Sequence, residues 1–241
     1  MAFGSYKNLK SLLSLAPSQA GGLSIINNGL VGYWKLDEGV AGTSYDSSGQ
    51  GNNGTDTGTT PSTSVPSAIK FYDPYSRSFN GTSDYVDIPK AASIRPMTIT
   101  LSLWAKSSEA TFGNYRGFIV QRSSDNNSGF IFDGNSGGTQ VDCIIGNGTT
   151  NVHTAYIVPD ITIWHLYTIT YDGTIVRLYV DGTQQATSAI SGGIAWNGTV
   201  QNLKIGRDPS WTYFNGLIDD ARIYNRALSA TEIATIAAGN G

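Results

Sequence analysis

Carboxylates are the most abundant side chains in this sequence that could do acid–base or metal chemistry. Fifteen aspartates accompany only three glutamates, which are Glu38, Glu109 and Glu232. A retaining glycosidase needs two carboxyl groups about 5–5.5 Å apart, whereas aspartates in Gly- and Asn-rich segments commonly shape turns. Glu232 fits a helix cap and Glu38 lies near the first predicted strand, which leaves Glu109 in a loop. Aspartates could substitute for glutamates, but the sequence favours a protein without catalytic activity.

Other reactive side chains are scarce. Cys143 is the single cysteine, which excludes an internal disulfide and a cysteine-based zinc site. It lies in the apolar run 141–145, so we expect it to be a buried core residue. Two histidines are too few for a multi-histidine metal site. His165 shares a strand face with Tyr167 and Ile169, which predicts a hydrogen-bonded position at a strand end.

Aromatic rings in predicted loops are the candidate ligand contacts. Sugar recognition needs exposed rings, on which the apolar face of a sugar stacks, and polar neighbours for its hydroxyl groups. Loops on a rigid scaffold often carry such groups. The alternative is that the rings pack over the edges of the fold. The candidates are Tyr115, Arg116, Trp196, Trp211 and Tyr213.

Composition predicts an all-β protein. Charged residues make up 14% of the chain and hydrophobic residues 39%, which is enough apolar material for a core and excludes intrinsic disorder. Gly, Ser, Thr, Asn and Asp are abundant, as in many strands joined by turns. With a net charge of -3 and no basic cluster, the chain lacks the electrostatic footprint of nucleic-acid binding. No stretch approaches the ~20 apolar residues that a membrane span needs.

Residues 1–28 differ from the rest of the chain. An apolar stripe at helical spacing is followed by Pro17 and a Gly/Ser/Asn linker, and its members include Tyr6, Leu9, Leu12 and Leu13. Such a short helix is marginal alone, so it is predicted to dock on its own domain or on another chain as an assembly arm. A frayed tail is the alternative. No secretory signal is recognisable, so either the mature chain starts here, an export signal has been removed, or the protein leaves the cell by another route.

Residues 29–241 form the second predicted domain, built of strands and turns. Alternation over 98–105 predicts a strand with two distinct faces, and Asp172-Gly173 and Asp181-Gly182 are hairpin signals. Four Asn-Gly pairs are interpreted as further turns. Near the C-terminus, Ser229 and Glu232 predict the capping box of a short helix that Gly239 ends.

Four segments, in this order, resemble one family. They are GLVGYWKLDEG (29–39) with DSSGQGNNG (46–54); SFNG (78–81) with DYVDIP (84–89); WH (164–165) with TYDG (170–173) and LYVDG (178–182); and FNGLIDDARIYNRALS (214–229). Together they resemble the laminin-G-like, concanavalin A-like lectin/glucanase domains of bacterial and viral surface proteins. The resemblance implies a jelly-roll sandwich of two antiparallel sheets with roughly a dozen strands. It also implies that the first strand, near Tyr33, lies close to the last strand, near Ile223.

The resemblance further implies a structural calcium ion where these two strands meet. Calcium takes 6–8 oxygen ligands. Asp219 matches the family aspartate of the last strand and is expected to point inward with Ala221 and Ile223. Asp46 matches the aspartate of the DSSG loop, with Asp37 and a carbonyl near Asn53 as further candidate ligands. The alternative is that these aspartates only cap turns.

Hydrolases on this fold share a Glu-x-Asp-x-x-Glu strand, which is absent here. The sequence therefore predicts a non-catalytic structural or decoration protein of a virion or other extracellular assembly, anchored by its N-terminal arm. A homo-oligomer is one candidate form of that assembly. The alternative is a lectin-like module that binds glycans, and a glycoside hydrolase or lyase is the least favoured function.

Overall fold

A computed structural model describes residues 26–135, 137–209 and 212–240. The predicted arm residues Tyr6, Leu9, Leu12 and Leu13, and the candidate Trp211, lie outside the described residues.

The described residues form eighteen strands and one helix. In chain order these are β1 (Leu30–Trp34), β2 (Thr43–Ser44), β3 (Gly54–Thr57), β4 (Thr60–Ser62), β5 (Ser76–Asn80), β6 (Tyr85–Ile88), β7 (Ile99–Ser107), β8 (Arg116–Arg122), β9 (Ser128–Gly134), β10 (Gln140–Asn147), β11 (Asn151–Ile157), β12 (His165–Tyr171), β13 (Ile175–Val180), β14 (Thr183–Ala189), β15 (Leu203–Ile205), β16 (Arg207–Asp208), β17 (Thr212–Tyr213), β18 (Asn215–Tyr224) and α1 (Ala230–Ala237). The count exceeds a dozen because several strands have only two or three residues.

Two antiparallel sheets face each other across one core. The first sheet has the order β14-β13-β12-β7-β18-β5-β4, with β1 also paired to β18. The second has the order β11-β10-β9-β8-β15-β6-β3-β2, and β16 and β17 form a separate hairpin. The pairing of β1 with β18 confirms that the first and last strands meet. The all-β prediction and the two-sheet antiparallel sandwich are likewise confirmed.

Aromatic rings hold the two sheets together. Phe118 on β8 is fully buried. Its ring centroid lies 5.5 Å from that of Tyr167 on the first sheet and 5.2 Å from that of Phe214. Offset and edge contacts at such distances stabilise a core beyond simple burial of area. Cys143 lies in the same core and is fully buried, as predicted.

The outer face of the first sheet is covered by the C-terminal helix. Ile233 and Ile236 of α1 pack there with Trp104. The predicted capping box is present, because the Ser229 hydroxyl accepts from the Glu232 amide and the Glu232 carboxylate accepts from the Ser229 amide. No helix among the described residues is long and apolar enough to cross a bilayer.

The capping glutamate makes fold stability depend on pH. Hydrogen bonds from Arg226, whose Nη2 lies 2.6 Å from the carboxylate, and from Ser229 lower the pKa of Glu232 to about 2. An unfolded glutamate titrates near ~4.3, so this stabilisation is complete above that pH and is lost as the pH falls towards 2. We therefore expect Glu232→Gln to lower the melting temperature by a few degrees at pH 7, with the gap closing on acidification. Equal melting temperatures at pH 7 would contradict this assignment.

Candidate functional site

The outer face of the second sheet supports the β16–β17 hairpin. A Cβ at Gly117 on β8 would lie 2.4 Å from the amide nitrogen of Asp208, so the hairpin backbone rests directly on the sheet and this position requires glycine. Arg122, also on β8, donates to both Asp208 carboxylate oxygens at 3.0 and 2.7 Å, and both side chains are buried. This bidentate ion pair fixes the position of the hairpin on the sheet.

Two tyrosines and an arginine meet beside this anchor. Tyr85 on β6 and Tyr213 on β17 are half-buried, and their ring centroids are 6.3 Å apart. The Arg207 guanidinium carbon lies 5.0 Å from the first ring and 4.9 Å from the second. We call these three residues, together with Tyr115 and Arg116, the tyrosine–arginine surface.

Tyr115 and Arg116 join this surface through the backbone of the hairpin. The Thr212 hydroxyl donates to the carbonyl of Tyr115, whose side chain is 51% exposed. Arg116 donates to the carbonyl oxygen of Tyr213 at 2.8 Å. The structure therefore brings together three of the five predicted ligand residues, which are Tyr115, Arg116 and Tyr213.

Trp196 lies elsewhere. Its indole N–H donates to the Pro96 carbonyl at 2.9 Å, and its ring makes an edge contact with Phe130. It packs against the core, as the alternative interpretation of the loop aromatics supposed.

Sequence reasoning missed Tyr85 and Arg207. A signal for Tyr85 was available, because Val86 and Ile88 are core residues and strand alternation turns Tyr85 and Asp87 outward. Arg207 carries no comparable local signal.

Two buried aspartates lie opposite each other on the outer face of the second sheet. Asp133 on β9 is the direct cross-strand partner of Asp142 on β10, and they are 2% and 1% exposed. Burial, and then the charge of Asp142, raises the pKa of Asp133. Burial also raises the pKa of Asp142, and a hydrogen bond between His153 Nδ1 and Asp142 Oδ2, at 2.9 Å, partly offsets that rise. With so little exposed surface, the pair is closed to a polymeric substrate.

Asp46 closes a loop with its carboxylate. Oδ1 accepts from the amides of Tyr33 and Ser48 at 2.9 Å, and Oδ2 accepts from the Asn52 amide at 2.8 Å. The Asn53 side chain in turn accepts from the Asp46 amide. Asp46 and Asn53 thus accept hydrogen bonds from the backbone amides of their loop, which is the alternative to calcium binding that the sequence offered.

Asp219 is buried, but not on the predicted face. A β-bulge between Asp219 and Arg222, with Asp220 at a φ of +52°, shifts the alternation by one residue. Asp219 is therefore the partner of Trp104 on the outer side of the first sheet, whereas Ala221 and Ile223 face the core. The expectation that Asp219 shares the face of Ala221 and Ile223 was wrong for this reason.

The bulge places Asp219 beside two other carboxyl groups, those of the buried Asp220 and the half-buried Asp73. The carboxyl groups of Asp73 and Asp219 interact through a hydrogen bond, and the Asp220 backbone also acts on Asp219. Burial first, and then the charges of Asp73 and Asp220, raises the pKa of Asp219. Burial and the Asp220 charge raise the pKa of Asp73 to about 6. Arg222 pairs with Asp220 at 2.8 Å, so Asp73 and Asp219 are the two members without an ion pair.

Asp37 lies near this cluster, where it lines an open cavity of about 740 Å³ with Tyr33, Lys35 and Tyr72. Its charge acts on Asp73. The described residues contain no group of three or more carboxylate, imidazole or thiol side chains arranged to hold a metal ion. The predicted set of Asp37, Asp46, Asn53 and Asp219 is thus not assembled as one site.

The sequence of residues 80–234 matches the family model of the concanavalin A-like lectin/glucanases superfamily. The chain belongs to this superfamily. The match includes both strands that carry Tyr85 and Tyr213 and most of α1, and it agrees with the jelly-roll sandwich.

Solved structures with the superfamily fold resemble the chain at low sequence identity. Domain 4 of AbnA, an extracellular GH43 arabinanase from Geobacillus stearothermophilus in complex with arabinotriose, has a TM-score of 0.65 and 19% identity, covering 86% of this chain and 98% of that domain. The binding domain of Paraclostridial Mosquitocidal Protein 1 has a TM-score of 0.67 and 18% identity, covering 88% of this chain and 52% of that one. The binding domain of botulinum neurotoxin DC, in complex with SialylT, has a TM-score of 0.63 and 15% identity, covering 90% and 52%.

This chain thus spans about half the length of the toxin binding domains. No curated protein matches it.

The Arg122–Asp208 pair should be a main determinant of stability on this face. Arg122→Met leaves a buried carboxylate without its cation, which should lower the free energy of unfolding by about 3 kcal/mol. The control is Lys204→Met, which breaks the more exposed pair with Asp87 and should cost less than about 1 kcal/mol. Urea denaturation measures both, and equal losses would contradict the role given to Arg122.

Proposed function

We propose that this chain is a non-catalytic, glycan-binding module that works outside the cell and binds a saccharide at the tyrosine–arginine surface. The observation that carries the proposal is the pair of adjacent, half-buried rings of Tyr85, on the second sheet, and Tyr213, on the hairpin that rests on it. The apolar face of a pyranose or furanose ring can stack on such a platform.

Polar groups beside the rings suit the hydroxyl groups of a sugar. Asp87 and Lys204 form an ion pair on neighbouring strands, and the Lys204 ammonium lies 5.1 Å from the Tyr85 ring centroid. A few placed polar groups around an apolar contact are typical of ligand sites. Because β8 and the hairpin already fix these side chains, little entropy is lost on binding.

Proteins of similar fold support the glycan class. The arabinanase domain is in complex with arabinotriose, and the botulinum neurotoxin DC binding domain is in complex with SialylT. At 19% and 15% identity, these structures support a saccharide ligand without identifying which one this chain takes.

We also propose that a divalent cation, calcium by its preference for oxygen ligands, binds between Asp73 and Asp219. The buried carboxyl group of Asp219 and the half-buried one of Asp73 have no ion pair, and a divalent cation can displace the proton of the hydrogen bond between them. Carbonyl and water oxygens would complete its coordination. Such an ion would stabilise the bulge and the adjoining first strand, and Asp37 is close enough to contribute electrostatically.

The role as a virion or assembly component stays a prediction. It depends on the arm within residues 1–28, whose apolar stripe lies outside the described residues.

The glycan proposal is tested at the two rings. On an array that includes arabino-oligosaccharides and sialylated glycans, Tyr213→Ala and Tyr85→Ala should each weaken binding by about tenfold, because the stacking surface is removed. Tyr72→Ala is the matched control, since this ring is 85% exposed and lies beside β1, away from the hairpin. A folded chain that binds no saccharide, or binding that both substitutions leave intact, would sink the proposal.

The cation proposal is tested by melting in EDTA and in about 1 mM calcium. Calcium should raise the melting temperature of the parent chain by several degrees, because it binds only the folded state. Asp219→Asn should melt higher than the parent in EDTA, since one buried charge is gone, and should lose the calcium response. Asp46→Asn should melt lower but keep that response. No calcium shift in the parent would remove the cation from the proposal.

A further inference from the structure

Arg207 has no carboxylate partner among the described residues, as is also true of Arg95, but two aromatic rings contact its guanidinium rather than one. Its Nε is buried without a hydrogen-bond acceptor, and its described contacts are the rings of Tyr85 and Tyr213. By contrast, Arg77 pairs with Glu38 and Arg222 pairs with Asp220. Arg95 lies over the single ring of Trp196 and donates to the carbonyls of Val200 and Gln201, so the contact with two rings is what distinguishes Arg207.

The two rings restrain the guanidinium and cover part of its surface. Cation–π contacts at 5.0 and 4.9 Å orient the group without using its N–H donors. The remaining donors form a planar fork, whose geometry matches the two oxygens of a carboxylate. A restrained fork beside a stacking platform can therefore bind an anion that is attached to a sugar ring.

The other charged side chains around the surface already have partners, so Arg207 is the candidate for binding this anion. Lys204 is paired with Asp87. Arg116 is held by the carbonyl oxygens of Gly81 and Tyr213. Asp208, the next residue along the chain, is bound by Arg122 on the sheet. Asp87 and Asp208 are thus already paired with other cations and do not compete for the Arg207 fork.

We propose that the saccharide bound at the tyrosine–arginine surface carries a carboxylate, as uronic and sialic acids do, and that Arg207 binds this carboxylate. The inference rests on the proposed glycan-binding function and specifies the ligand class of the same site. Tyr213 and Tyr85 supply the stacking contact for the sugar ring, and Arg207 supplies the selectivity for its charge.

The test compares sugars that differ only in the acidic group, using the full chain and isothermal titration. Digalacturonic acid is paired with galactobiose, and 3′-sialyllactose is paired with lactose, so that the two sources of the carboxylate are examined separately. In at least one pair the acidic sugar should bind about tenfold more tightly than the neutral one, because a charge-assisted bidentate contact is added. This preference should shrink as salt screens the exposed charge.

Variants of the arginine assign the preference to one residue. Arg207→Gln should abolish the ratio of acidic to neutral affinity, and Arg207→Lys should restore only part of that ratio because the fork is lost. Arg95→Gln is the matched control, since this arginine also lacks a carboxylate partner and lies over a ring, that of Trp196, outside the tyrosine–arginine surface, and it should keep the preference. Circular dichroism and melting confirm that each variant is folded.

The outcomes separate this inference from the function on which it rests. Neutral and acidic sugars that bind equally well, with binding still lost in Tyr213→Ala, would overturn the acidic class alone. A preference that persists in Arg207→Gln would overturn the role of Arg207. A folded parent chain that binds neither member of either pair, nor any glycan on the array, would overturn the proposed function and this inference with it.

Discussion

The buried ion pair between Arg122 and Asp208 is the interaction on which the outer face of the second sheet depends. Its two hydrogen bonds join residues 86 positions apart and hold a two-stranded hairpin against β8. Gly117 allows the backbones to touch, and the ion pair sets where they touch. Tyr213 and Arg207 belong to that hairpin, so their position over Tyr85 follows from an interaction made underneath them. Binding groups placed in this way need little reorganisation to meet a ligand.

A comparable constraint governs the opposite face of the sandwich. The bulge at Asp220 inserts one residue into β18 and turns Asp219 from the core towards Trp104. It also lets Arg222 lie against the Tyr33 ring, 4.5 Å from its centroid, while pairing with Asp220. Bulges are retained where a side chain must be redirected. Here the redirected group is a buried carboxylate without an ion pair, which is costly unless an ion or a proton binds to it.

Local signals in the sequence predicted the local structure well. The Asp181-Gly182 pair forms a hairpin turn with φ values of +50° and +80°, and Ser229 and Glu232 form their capping box. Periodicity predicted the sheets but could not show the bulge, because one inserted residue leaves the alternation on either side unchanged. Asn53-Gly54 was interpreted as a turn, yet Gly54 begins β3. The tyrosine–arginine surface was predicted only in part. Its residues come from segments far apart in the chain, and no local pattern in a single sequence shows that these segments pair.

The positions of the charged side chains on these two faces explain how the chain uses its few glutamates and its many aspartates. Glutamate is rare, and the structure uses Glu232 in a cap and Glu38 in an ion pair with the buried Arg77. Asp73 and Asp219, which have no ion pair among the described residues, lie on one outer face, whereas Arg207 lies on the other, with the apolar core between them. Because screening and distance weaken their direct interaction, a cation at the first face would act on ligand binding at the second mainly through stability. The sandwich therefore separates the carboxyl groups proposed to bind a cation from the arginine proposed to bind an anion.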